Sequence, residues 1–96
     1  MKADIPESVI VKLIDSEMPD SSFDFELPTK MPAKDLAKGI LRLLKVYGSA
    51  EEWNNESRYA NKVSLSLFYD EVKLQNSQTL ASVGAWDGST IRFKAY

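Results

Sequence analysis

Two alternating stretches near the N-terminus predict a β-hairpin over residues 8–27. In VIVKLI, alternation puts Val9, Val11 and Leu13 on one face of a strand, and FDFEL repeats the pattern at residues 23–27. The intervening DSEMPDSS is rich in proline, aspartate and serine, which turn a chain because they fix φ or bond their own backbone. The pattern therefore predicts two strands joined by a loop of several residues.

A helical repeat follows and predicts one long helix over residues 32–47. Pro32 suits its first position, because the missing N–H has no helical partner there. Gly48 is the natural stop, and Gly39 costs the helix about 1 kcal/mol relative to alanine. The apolar residues that draw one stripe along this helix are Leu36, Ile40, Leu43, Leu44 and Tyr47.

Residues 48–63 form a polar insertion. Ser49 and Glu52 have the spacing of a capping box, which predicts that a short second helix starts here. Trp53 and Tyr59 are its large apolar groups. Both are expected to fold back over the edge of the core, and a ligand-binding role is the alternative.

The C-terminal segment, residues 64–96, predicts strands joined by tight turns. SLSLFY puts Leu65 and Leu67 on one face and Phe68 on the other, and DEVKL follows as a turn with a short extension to Leu74. A turn at Asp87 and Gly88 precedes STIRFKAY, which alternates again. The element order predicts a single α+β domain over residues 1–96. Its four- to five-stranded mixed sheet has the first and last strands paired in the middle and one long helix crossing it, which is a β-grasp.

Composition narrows the possible functions. The net charge of −2 gives no electrostatic reason to expect nucleic acid as a partner. The chain has no cysteine and no histidine, so thiolate chemistry and the commonest general base and metal ligand are missing. We therefore expect no enzyme activity, no catalytic residues, no metal and no cofactor.

No apolar run is long enough for a signal peptide or a membrane span before Asp15, which favours a cytoplasmic protein.

The succession of elements resembles ubiquitin over nearly the whole chain. The segment TLASVGAWDGSTIRF, residues 79–93, is similar to the final segment of the bacterial YukD and EsaB proteins, which are associated with type VII (ESX, WXG100) secretion. The insertion at 48–63 and a longer first hairpin loop depart from that family. The positions that are apolar in the ubiquitin family are matched here by Val9, Val11, Phe23, Phe25, Leu27, Leu36, Ile40, Leu67, Leu74, Leu80, Ile91 and Phe93.

The resemblance implies a non-catalytic protein-interaction module, an accessory component that binds part of the secretion machinery. Ubiquitin and the related sulfur carriers act through a Gly-Gly tail, but here IRFKAY follows with no glycine after Gly88, so a non-conjugated protein is expected. Two alternatives stay open. One is a generic β-grasp adaptor unrelated to secretion, and the other is a conjugated modifier or sulfur carrier.

The open face of the predicted sheet is the candidate protein-binding site. It would present an apolar spot rimmed by positive charge, suited to a protein partner or to weak self-association. Its residues are Ile10, Lys12, Ile14, Phe68, Arg92, Lys94 and Tyr96. A second basic surface lies on the solvent side of the helix, and it is either an ordinary solvated face or a docking face for an acidic partner or a membrane surface. That surface consists of Lys34, Lys38, Arg42 and Lys45.

Overall fold

The computed structural model describes residues 5–47, 49–51 and 54–96. The long helix follows the first two strands, and a short helix precedes the last strand. In chain order the elements are β1 (Ser8–Asp15), β2 (Ser22–Pro28), α1 (Ala33–Tyr47), β3 (Ser49–Glu51), β4 (Asn54–Ser57), β5 (Leu65–Tyr69), β6 (Val72–Lys73), α2 (Leu80–Val83) and β7 (Thr90–Ala95).

Five strands form one mixed sheet in the order β2-β1-β7-β5-β6. The first and last strands, β1 and β7, run parallel in its middle, with Leu13 opposite Ile91, while the other neighbours pair antiparallel. A parallel pair needs a crossover, and α1 lies within the chain that connects β1 to β7. The predicted β-grasp is confirmed.

The core lies between one face of this sheet and α1. Val9, Val11 and Leu13 of β1 are buried, as are Ile91 and Phe93 of β7, because alternation turns these side chains toward the helix. Ten of the twelve positions matched to the ubiquitin family are buried, and the other two pack against the core from β2. These two are Phe23 and Phe25.

The buried stripe of α1 differs in part from the predicted one. Tyr47 is 65% exposed, and Leu43 is only half-buried. Ala33 and Leu41 are buried instead. Each lies three residues before a buried leucine, Leu36 or Leu44, and therefore on the same side of the helix, which faces the sheet. Gly48, the predicted stop, lies outside the described residues.

The helix predicted to start at Ser49 is absent. Residues 49–51 form β3, which pairs antiparallel with β4 in a separate two-stranded sheet, and Glu52 and Trp53 lie outside the described residues. Pairing of Ser49 with Ser57 and of Glu51 with Asn54 engages backbone groups that a helix would have paired internally, so the hairpin takes the place of the helix.

The short helix is α2, in a segment whose sequence reads as a loop. Its capping box joins Thr79 and Ser82, each side chain bonding the other's backbone N–H. Leu80, the first residue of α2, is fully buried in the core. Gly84 ends the helix at φ +77°, in the left-handed region that suits glycine.

Two glycines form a matched pair for substitution. A methyl group at Gly39 or at Gly84 would meet no other described group within 4 Å beyond its chain neighbours and its own helix backbone, but only Gly84 has a positive φ. We expect Gly39→Ala to raise the free energy of unfolding by about 0.5–1 kcal/mol, because alanine restricts the unfolded chain. Gly84→Ala should lower it by about 1–2 kcal/mol through left-handed strain. Urea denaturation measures the free energy of unfolding of both variants. Equal changes of the same sign would contradict the left-handed conformation of Gly84.

Candidate functional site

The open face of the sheet, on the side away from α1, places the predicted binding residues on β1, β7 and β5. Ile14 of β1 pairs with Arg92 of β7, and Arg92 pairs in turn with Phe68 of β5. On the far side of Phe68 lies Lys73 of β6. One row across the sheet therefore carries two half-buried apolar side chains on either side of an exposed guanidinium.

Ile10 lies apart from this row. It is four residues before Ile14 on β1, a separation of about 13 Å along a strand. Its side chain is 53% exposed, its backbone N–H donates to Asp87 Oδ1 at 2.7 Å, and its carbonyl accepts from the Gly88 N–H at 2.9 Å. The cross-strand partner of Ile10 is Glu26. Ile10 is thus on the predicted face but next to acidic groups.

The charge around the open face is two-sided, whereas the sequence predicted a positive rim. On the β2 side, Asp24 lies opposite Lys12, and Glu26 follows along the same strand. On the β7 side, the Nζ of Lys94 lies 5.1 Å from the centre of the Tyr96 ring. The face therefore presents cations along β7 and carboxylates along β2.

Backbone hydrogen bonds hold the C-terminal end of this face. Tyr96 is 51% exposed, and its backbone is held to the start of β5: its N–H donates to the Ser64 carbonyl at 2.9 Å, and its carbonyl accepts from the Val63 N–H at 2.7 Å. Among the described residues, no group of three or more acidic side chains is placed to hold a metal ion. No helix in that part of the chain is long and apolar enough to cross a bilayer.

A second polar cluster lies at the end of β1, where the sequence predicts only a turn. Asp15 is the last residue of β1 and is 6% exposed, because it continues the inward alternation of Val11 and Leu13. Its Oδ2 accepts from the Tyr59 hydroxyl at 2.7 Å, and its Oδ1 accepts from the Glu17 N–H at 2.9 Å. Continuing the β1 alternation by one step would have identified Asp15 as inward-facing.

Tyr59 ties the polar insertion to the core. Its ring is 1% exposed and lies edge-on to Phe23 and 5.8 Å from Phe93, which agrees with the predicted folding back over the core edge. Next to it, Arg58 Nη1 donates to Ser21 Oγ at 2.7 Å. Burial, together with the hydrogen bond and the charge of Asp15, raises the pKa of Tyr59 well above its usual value. The hydroxyl therefore stays protonated and donates to Asp15.

Comparison with known proteins gives one family match. The family model described as WXG100 protein secretion system (Wss), protein YukD, matches residues 9–92, which run from β1 into β7. No curated protein matches this chain in sequence.

Solved structures show the same fold at low sequence identity. The chain is similar to the EccD5 ubiquitin-like domain of Mycobacterium xenopi, with 16% identity, a TM-score of 0.72, and 95% of this chain and 97% of that one covered. It is similar to Caldiarchaeum subterraneum ubiquitin, with 15% identity, a TM-score of 0.64, and 93% and 94% covered. A chain of the MycP5-free ESX-5 inner membrane complex matches with 16% identity and a TM-score of 0.68, over 95% of this chain but 21% of its own length.

The Tyr59 contact predicts an alkaline dependence of stability. Tyr59→Phe should cost about 1–3 kcal/mol near neutral pH, because Asp15 loses a buried donor. Because the pKa of Tyr59 is raised by folding, the protonated hydroxyl stabilises the folded state. Its contribution to the free energy of unfolding is complete below about pH 10, the ordinary tyrosine pKa, and is lost as the pH rises toward the folded-state pKa. The difference between wild type and Tyr59→Phe should therefore shrink above that pH.

Denaturation measured across alkaline pH tests this dependence, with Tyr47→Phe at an exposed position as the matched control. The control should match wild type throughout, since Tyr47 is 65% exposed and water can hydrogen-bond its hydroxyl in both the folded and the unfolded chain. A Tyr59→Phe deficit that stays constant into the alkaline range would contradict the assigned contact.

Proposed function

This chain belongs to the YukD family of the WXG100 protein secretion system, and from that premise we propose that it is a non-catalytic, ubiquitin-like interaction module. In this proposal it serves as an accessory component of a type VII secretion system and acts in the cytoplasm. The observation that carries the proposal is the family match over residues 9–92, which includes most of the described fold.

The open sheet face is the surface we assign to the partner. Its central row offers half-buried Ile14 and Phe68 with Arg92 between them, a combination that can bury apolar area and make a directed charge contact. Arginine and aromatic side chains are enriched among the residues that dominate binding energy at protein interfaces. We therefore expect Phe68 and Arg92 to contribute more to binding than Ile10 or Tyr96 at the margins.

A component of the secretion machinery is the proposed partner. The likeness to the EccD5 domain and to a chain of the ESX-5 inner membrane complex supports this choice, although at 16% identity those structures establish only the shared fold. Self-association through the same face is the competing outcome.

The non-catalytic part of the proposal rests on the side chains available. The chain has neither cysteine nor histidine, and the most perturbed described tyrosine, Tyr59, is held as a protonated donor.

The test is complementation of a gene deletion in the native cell. The paired change Phe68→Ser with Arg92→Glu should leave export of WXG100 proteins at the level of the deletion strain, because removing two central contacts costs at least roughly tenfold in affinity. Immunoblotting of the culture medium measures the exported protein.

The matched control makes the same chemical changes on the helix, Val46→Ser with Arg42→Glu, where both residues are exposed. This variant should restore export, and circular dichroism should show both variants folded. Failure of the helix variant together with full activity of the sheet variant would move the functional face to α1. Normal export in the deletion strain would refute the role in secretion.

A further inference from the structure

A groove lies on the helix side of the molecule, between α1 and the first half of β5. It encloses about 220 Å³ and is open along one side. Apolar side chains from both elements line it, chiefly Ala37 and Leu41 from the helix and Leu65 and Leu67 from the strand. The open sheet face lies on the opposite side of the sheet, and Lys73, which lines the groove and pairs with Phe68 across β5 and β6, borders both surfaces.

Among the described residues, the first half of the strand that borders this groove has no backbone partner on the side away from β7, and this side is called its free edge. β6 pairs only with Phe68 and Tyr69, and one further bond joins the Leu74 N–H to the Leu67 carbonyl at 2.9 Å. Because Ser64 exchanges hydrogen bonds with Tyr96 on β7, alternation turns the backbone N–H and C=O of Leu65 toward the groove side of the strand. Edge groups of this kind can pair with an added strand.

Charge and exposure distinguish this groove from an ordinary surface depression. Three exposed lysines line it: Lys34 and Lys38 from α1 and Lys73 from β6. None of its described lining residues is acidic, although the whole chain carries a net charge of −2. Val63, at the start of the free edge, is 83% exposed, an apolar side chain left in solvent directly beside the unpaired backbone.

We propose that this groove binds an extended segment of a partner protein that adds to the free edge of β5. The segment would bond the Leu65 backbone, place alternate apolar side chains over Leu41 and Leu65, and bring acidic residues at its ends to the three lysines. Strand addition supplies affinity through main-chain bonds and specificity through every second side chain. This proposal is independent of the open sheet face, and either surface could bind without the other.

The probe is a synthetic peptide of alternating valine and threonine flanked by two glutamates at each end, with acetylated and amidated termini. Titrated into the full chain, it should shift amide resonances at residues 63–67 and near the three lysines in nitrogen-proton correlation spectra. The Leu65 amide should also exchange more slowly with solvent. Two control peptides, one with lysines in place of the glutamates and one with a central proline, should bind more weakly, the second because proline cannot donate to the ladder.

Protein variants test the charge contribution. Lys34→Glu with Lys38→Glu should weaken binding of the acidic peptide by about three- to tenfold, the effect of two exposed ion pairs. Lys30→Glu with Arg42→Glu changes the net charge equally at exposed positions outside the groove lining, and it should leave the affinity within about twofold.

Several results would overturn the proposal. They are an absence of shifts at residues 63–67, shifts confined to the Ile14 and Arg92 row, and equal affinity for the acidic and lysine-flanked peptides. Sedimentation with phosphatidylserine vesicles that is lost in the Lys34→Glu, Lys38→Glu variant, without peptide binding, would assign the basic groove to a membrane surface instead. Because the probe does not involve secretion, a failure here is distinguishable from a failure of the export experiment.

Discussion

The parallel pairing of β1 with β7 is the constraint on which the other features depend. It joins strands that are far apart in sequence and fixes the central register, Leu13 opposite Ile91 and Ile14 opposite Arg92. The first pair is buried against α1, and the second lies on the open face. A slip of one residue would exchange these faces and would disrupt the core and the candidate binding row together.

The strands of the central sheet could be predicted because their alternation is strict and their inward residues are large. The interpretation failed where local signals compete. The spacing of Ser49 and Glu52 indicated a capping box and a helix, but the structure has a small hairpin there. The capping box that does form joins Thr79 and Ser82 at the start of α2. Asp15 is predicted as part of the turn that follows it, although the β1 alternation already places it inward. Its contact with Tyr59, which is distant in sequence, could not be predicted.

The candidate surfaces were predictable to different degrees. Alternation was enough to assign Phe68 and Arg92 to one face of the sheet. The position of the acidic β2 residues beside that face depends on strand order and register, which alternation alone does not give. The groove between α1 and β5 could not be predicted, because Lys38 and Lys73 come from elements separated by the insertion. Buried contacts of Tyr59 with Asp15 and Phe93 tie that insertion to the β1 end of the sheet.

Native-state hydrogen exchange of individual amides tests the central role of the β1–β7 pair most directly. Amides that bridge the two strands, including those of Ile14 and Phe93, should exchange only through global unfolding, with an opening free energy equal to that from denaturation. Amides of β6, which forms only a two-residue pairing, should open at lower free energy. If the β1–β7 amides exchanged as readily as those of β6 while α1 stayed protected, the pairing would not be what holds this fold together.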